Sequence, residues 1–206
     1  MDSQIFRPEY PIIARMVRNG ASVLDLGCGD GGLLALLRKE RGVTRAQGIE
    51  IDEQAIYRCV ARGLSVFHGD VDSGLSEYAD QSFDYVILNQ TFQQVKKPDE
   101  VLNETLRVGK EVIVGIPNFA HISARYQLGI LGRAPITPSL PYEWYNTPNL
   151  HFLSLADFVR FCQKREIKIE KSAFVGSRRA VQVCPNLFAL VGIFLISGRE
   201  REKRPG

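Results

Sequence analysis

The sequence has no apolar run that could cross a bilayer. Its longest, residues 187–196, contains Gly192 and falls far short of the roughly 20 residues a membrane helix needs. Residues that form metal sites and disulfides are few and dispersed. Cys28, Cys59, Cys162 and Cys184 make no C-x-x-C pair, and His68, His121 and His151 fall at no ligand spacing, so neither a zinc site nor a disulfide framework is expected. An excess of one charge is missing too. Lys and Arg number 26 against 23 Asp and Glu, a net +3, too little to imply nucleic-acid binding without a focused patch. The densest basic run, residues 199–204, is broken by Glu200 and Glu202 and reads as a solvated terminus. Residues 1–4 offer no basic stretch leading into an apolar one, so no secretory leader is expected. Together these absences predict a cytoplasmic protein with reduced thiols, no membrane partner and no nucleic-acid ligand.

What is present points to one folding unit. The 206 residues, 45% hydrophobic and 24% charged, suit a single domain with an ample core. Short apolar runs at 21–26, 46–51, 64–67, 83–88 and 111–116 read as strands. Helical patterns separate them: Leu33, Leu34, Leu36 and Leu37 within 31–41, Ile56, Cys59 and Val60 after a capping Asp52, and a helix opened by Pro98, Asp99 and Glu100 that runs to Arg107. Strands that are apolar throughout and separated by helices predict a doubly wound, mostly parallel α/β sheet.

The second half changes character. Residues 119–131 suggest an amphipathic helix with Ile122, Tyr126, Leu128 and Ile130 as its apolar contacts. An irregular stretch follows, 132–151, with four prolines and Tyr142, Trp144 and Tyr145; so long a loop is expected to be functional. Region 118–151 therefore reads as an insertion or lid within a single domain spanning 1–206, with a basic tail at 199–206. Ser154 and Asp157 suit a capping box on a helix over 155–164, and residues 167–174 and 187–195 read as two final strands.

The first strand runs into Asp25-Leu26-Gly27-Cys28-Gly29-Asp30-Gly31-Gly32. Glycines in a first strand–helix turn let a ligand approach bare backbone N–H groups at a helix N-terminus. Gly27, Gly29 and Gly32 also satisfy G-x-G-x-x-G, a weak signal for a dinucleotide. Three acids favour S-adenosylmethionine (SAM) instead. Asp25 would repel a pyrophosphate but suits the cationic amino and sulfonium groups of SAM. Glu50 ends the second strand, placed for ribose hydroxyls, and Asp70 follows the third strand, where it could accept from the adenine amino group. Each of Asp25 and Asp70 alone could instead be a local turn or cap residue. Ile51 could pack on the adenine face or in the core; Asn89 and Gln90, after the fourth strand, could meet the methionine end of the ligand or satisfy loop backbone. The predicted binding set is Asp25, Gly27, Cys28, Gly29, Glu50, Ile51, Asp70 and Asn89, with SAM or S-adenosylhomocysteine (SAH) as cofactor.

No catalytic group follows from the residues. Methyl transfer needs mainly alignment, and the segment after the fourth strand, Asn89-Gln90-Thr91-Phe92, lacks the Pro-Pro-aromatic element typical of base N-methylation. His121, Tyr142, Glu143, Tyr145 and His151 could line an acceptor pocket, yet none forms an acid–base pair by spacing.

Residues 23–31 and 48–53 match the class I SAM-dependent methyltransferase pattern in general. More specific are Ser82 to Thr91 (SFDYVILNQT), Pro117-Asn118-Phe119, Leu140 to Asn149 (LPYEWYNTPN) and His151. On these, the chain resembles the MetW family of methionine-biosynthesis proteins from about Arg18 to Phe174. The resemblance implies a seven-stranded methyltransferase fold with one antiparallel strand. It also implies work beside a homoserine O-acyltransferase, and it defines no methyl acceptor. Three roles are open: a SAM- or SAH-binding partner of that enzyme, a small-molecule methyltransferase, or an RNA or protein methyltransferase. The last would need Arg178, Arg179 and residues 199–204 to share a basic face.

Overall fold

The computed structural model describes residues 7–177 and 179–198. Arg178 and the tail at 199–206 lie outside them. Among the described residues seven strands form one sheet: β1 (Ser22–Leu26), β2 (Arg45–Glu50), β3 (Ser65–His68), β4 (Phe83–Asn89), β5 (Gly109–Pro117), β6 (Lys168–Val175) and β7 (Val191–Ser197), in the order β3-β2-β1-β4-β5-β7-β6. β1 to β5 run parallel, and β7 is antiparallel to both its neighbours. Strand order reverses between β1 and β4, so a crevice opens beyond their carboxyl ends.

Alternation along the strands divides the core in two. Leu24, Leu26, Val86, Leu88, Val112 and Val114 pack with Phe158 and Phe194 on one face, beneath α4 (Pro98–Val108) and α6 (Leu155–Lys164). Val23, Tyr85, Ile87, Ile113 and Ile193 pack on the other, against α1 (Tyr10–Met16) and α2 (Gly32–Arg41). Asp25 obeys the same period. It pairs with Ile87 in register, two residues after Val23, and so points toward the α1–α2 face. α3 (Glu53–Ala61) begins as the sequence suggests, Asp52 accepting from the Gln54 amide at 2.9 Å. The capping box of α6 is complete: the Asp157 amide donates to Ser154 Oγ, and the Ser154 amide donates to Asp157 Oδ2.

Three expectations change. α1 carries no strong periodic signal and was not foreseen, yet Ile13 and Ala14 on it are fully buried. The last strand starts at Val191, because Pro185 sets φ for a short helix, α7 (Pro185–Phe188). The helix foreseen over 119–131 is α5 (Ile122–Gly129), and its supposed apolar contacts face outward. Ile122, Tyr126, Leu128 and Ile130 are 46%, 55%, 55% and 72% exposed, while Ala124 is buried. Periodicity identifies an apolar stripe; it does not say whether anything in the same chain covers it.

Candidate functional site

The turn after β1 is tied down by backbone. The Gly27 and Cys28 amides both donate to the Ile49 carbonyl, at 2.8 and 3.1 Å. Gly29 sits at φ +55°, and a side chain there would meet nothing within 4 Å. That open side faces the crevice, where a cavity of about 540 Å³ has formed, within the range of small-ligand sites. Gly27, Gly29, Glu50, Ile51, Asp70 and Asn89 line it. Six of the eight predicted residues are thus brought together from four strand ends.

Asp25 and Cys28 are the corrections. Asp25 is 2% exposed because the strand period turns it under the loop, toward α1, rather than into the cavity. Burial first, and then the neighbouring Glu50 carboxylate, push its carboxyl up to about 7. Cys28 points inward as well, its Sγ 4.0 Å from that of Cys59, and burial pushes its thiol far up. What Cys28 can offer a ligand is backbone alone.

Glu50 has two tasks. Its Oε2 accepts from the Gly29 amide at 2.7 Å, and its Oε1 accepts from the Ile51 and Asp52 amides at 2.8 and 2.9 Å. A carboxylate has about four acceptor positions, so one remains on the Oε2 side. Ile51 beside it is 61% exposed, an apolar surface next to a polar acceptor. Asp70, also in the lining, accepts from the Asp72 amide at 2.9 Å through Oδ1. A flat apolar face, one carboxylate position free beside it and an uncluttered glycine backbone suit an adenosine, so the residues fit an adenosyl ligand.

Arg7 and Glu9, which adjoin Asn89 and Gln90, were not foreseen. Arg7 lines the cavity, and Glu9, 1% exposed, accepts from Gln90 Nε2 at 3.0 Å and Asn89 Nδ2 at 3.4 Å. Eighty residues of chain separate these partners, so no local pattern could have joined them. Residues 132–151 close another side: the Leu150 and His151 amides donate to the Gln93 carbonyl, both at 3.0 Å. Of the acid–base candidates, His121 Nδ1 accepts from the Ser123 amide at the start of α5, and burial lowers its pKa. His151 Nε2 sits 3.0 Å from the Val95 carbonyl. Both rings hold backbone. Tyr142 alone among the five lines the cavity. It also borders a second, apolar cavity of about 280 Å³, with Phe119, Leu140, Trp144 and Phe152.

The profile of methionine biosynthesis protein MetW matches residues 7–196. The chain belongs to the MetW family. A bifunctional methionine biosynthesis protein MetXA/MetW from Rhodopirellula baltica is 37% identical over 189 residues, which cover 86% of this chain but 30% of that relative. The chain therefore spans about a third of that longer protein. The fold is shared with a SAM-dependent methyltransferase from Mesorhizobium loti, at a TM-score of 0.68 and 14% identity over 92% of this chain and 97% of that one. A SAM-dependent methyltransferase from Thermotoga maritima gives 0.65 and 17% over 92% and 87%. The MetW match thus comes with a class I SAM-dependent methyltransferase fold. Among the described residues no helix is long and apolar enough to cross a membrane.

Proposed function

We propose that this chain binds SAM or SAH in the strand-end cavity and docks on a homoserine O-acyltransferase, whose activity it tunes. Glu50 would take a ribose hydroxyl, Ile51 the adenine face, Asp70 the exocyclic amine, and the Gly29 backbone the close approach. When bound, SAM would supply a transferable methyl on its sulfonium. The observation that carries the reading is a polar strand-end cavity in a chain that also leaves large apolar side chains exposed. Ile122, Tyr126, Ile130, Trp144, Tyr145 and Phe152 are all 46% exposed or more, and clustered exposed apolar groups mark contact sites. The fused Rhodopirellula relative supports the partnership, because there a region similar to this chain shares one polypeptide with a MetXA part. A role beside a biosynthetic enzyme also suits the cytoplasm.

The test is to purify the acyltransferase alone and with this chain, and to assay it with and without SAH. Co-elution and a changed rate are expected; unchanged activity without co-elution ends the reading. The apolar cavity that abuts the polar one favours a second reading, a SAM-dependent methyltransferase with a small, largely apolar acceptor. Labelled SAM incubated with a metabolite extract should then yield a labelled small product, and an unlabelled extract would remove it. The reading as an RNA or protein methyltransferase rests on Arg178, Arg179 and residues 199–204 sharing a basic face, and of these all but Arg179 lie outside the described residues.

A further inference from the structure

One stretch of chain, residues 138–149, walls both cavities. Ser139 and Pro141 line the polar one, Trp144 and Thr147 the apolar one, and Tyr142 and Asn149 line both. The ends of this wall are pinned. Before it, the backbone of Ile136 exchanges hydrogen bonds with the Gln127 side-chain amide of α5, at 2.8 and 3.0 Å. Thr137 and Leu140 then bond each other, backbone to backbone, at 3.0 and 3.1 Å. After it, the Leu150 and His151 amides hold the Gln93 carbonyl, and Gln93 itself lines the polar cavity.

Between the pins the chain is held loosely. Among the described residues, 141–149 hydrogen-bond only to one another: the Asn146 amide to the Glu143 carbonyl at 3.2 Å, and the Asn149 amide to Thr147 Oγ1 at 3.1 Å. Pro141 and Pro148 fix φ near either border, so the turn between them is stiff within itself and untied from the body. A segment with no hydrogen bonds to its surroundings shifts at low cost, and its position follows what it packs on. On one side that is the polar cavity. On the other, Trp144 lines the apolar cavity while remaining 75% exposed. Trp144 and Tyr145 meet edge to face, ring centroids 5.7 Å apart, as an aromatic tip in the solvent.

We propose that residues 141–149 form a strap which the ligand of the polar cavity fastens through Tyr142 and Asn149, and which carries occupancy of that cavity to the Trp144–Tyr145 tip. This rests on the adenosyl reading above and gives that reading its means of regulation. A ligand against Tyr142 and Asn149 from the polar side restricts the strap. The exposed aromatics assigned above to the acyltransferase contact then hold one arrangement. Linkage is reciprocal, so a partner that fixes the tip in that arrangement tightens SAH by the same factor.

Trp144 is the sole tryptophan of the chain, so its emission reports on the strap without a label. SAH titrated into the full chain, with excitation where adenine is transparent, should shift that emission with the midpoint calorimetry gives for binding. Chymotrypsin cuts after aromatic residues. With SAH bound, its cleavage at Tyr142, Trp144 and Tyr145 should slow at least about fivefold, while cleavage at the exposed Phe188 of α7 changes less than about twofold. Tyr142→Ala truncates a half-exposed side chain; it should abolish the emission shift and weaken SAH less than about fivefold. Tyr145→Ala, outside both cavities, should keep the shift. SAH that binds by calorimetry yet leaves emission and cleavage unchanged overturns the strap and leaves the adenosyl reading standing. If SAH does not bind, the adenosyl reading falls and the strap with it. An emission shift that survives Tyr142→Ala overturns the part given to Tyr142.

Discussion

Asp25→Asn should make the protein more stable at mildly alkaline pH, although it removes a charged group from beneath the glycine turn. Asp25 is 2% exposed, and burial followed by the Glu50 carboxylate raises its pKa from the usual 3.8 to about 7. Around it the nearby ionisable groups are mostly acidic or neutral: Glu50, the Cys28 thiol and the buried Tyr10 phenol. Between those two pH values the folded chain keeps a proton that the unfolded chain has released. Stability must then fall as pH rises through the window, and level off above about 7. At about 1.4 kcal/mol per pH unit the full loss is about 4 kcal/mol, an upper figure because Glu50 shares the effect. Asn keeps the shape and cannot ionise, so its curve should lack that decline. Urea denaturation at about pH 5, 7 and 8.5 measures both proteins. Parallel curves for the two would refute the assignment of a neutral, buried carboxyl under the loop.

Two further outcomes follow from the same turn. Gly29 and Gly31 both have positive φ, but a side chain at Gly31 would overlap Leu64 Cδ1 and reach Cys59 Sγ at 2.9 Å, whereas one at Gly29 meets nothing. Gly29→Ala should cost about 1 kcal/mol of stability and weaken SAH, while Gly31→Ala should cost about 2–3 kcal/mol; the reverse ranking in urea would contradict the loop geometry. Glu50→Ala removes the acceptor for three backbone amides. It should destabilise the chain by about 2 kcal/mol and weaken SAH at least about tenfold, and unchanged calorimetry would mean the ligand sits elsewhere.

Near-continuous apolar runs at regular intervals specify the parallel sheet, because strands covered on both faces leave no polar positions. The glycine turn, Glu50 and Asp70 were equally readable, since each closes a strand and the fold brings strand ends together. Where local pattern misled, a side chain's direction decided. Asp25 sits at a strand end like the other acids, but one position along the pleat puts it beneath the loop. Ile122, Tyr126 and Ile130 repeat like a core stripe, and only packing shows that no other part of the described chain covers them.

The order of residues alone thus settled the class of fold, the glycine turn that borders the cavity and the kinship with MetW proteins, all properties of short stretches. Tertiary structure settled which atoms face the cavity, and it alone brought Arg7 and Glu9 to Asn89 and Gln90. Strand and helix periods are written within a few residues, whereas a contact across eighty residues exists only once the sheet has closed.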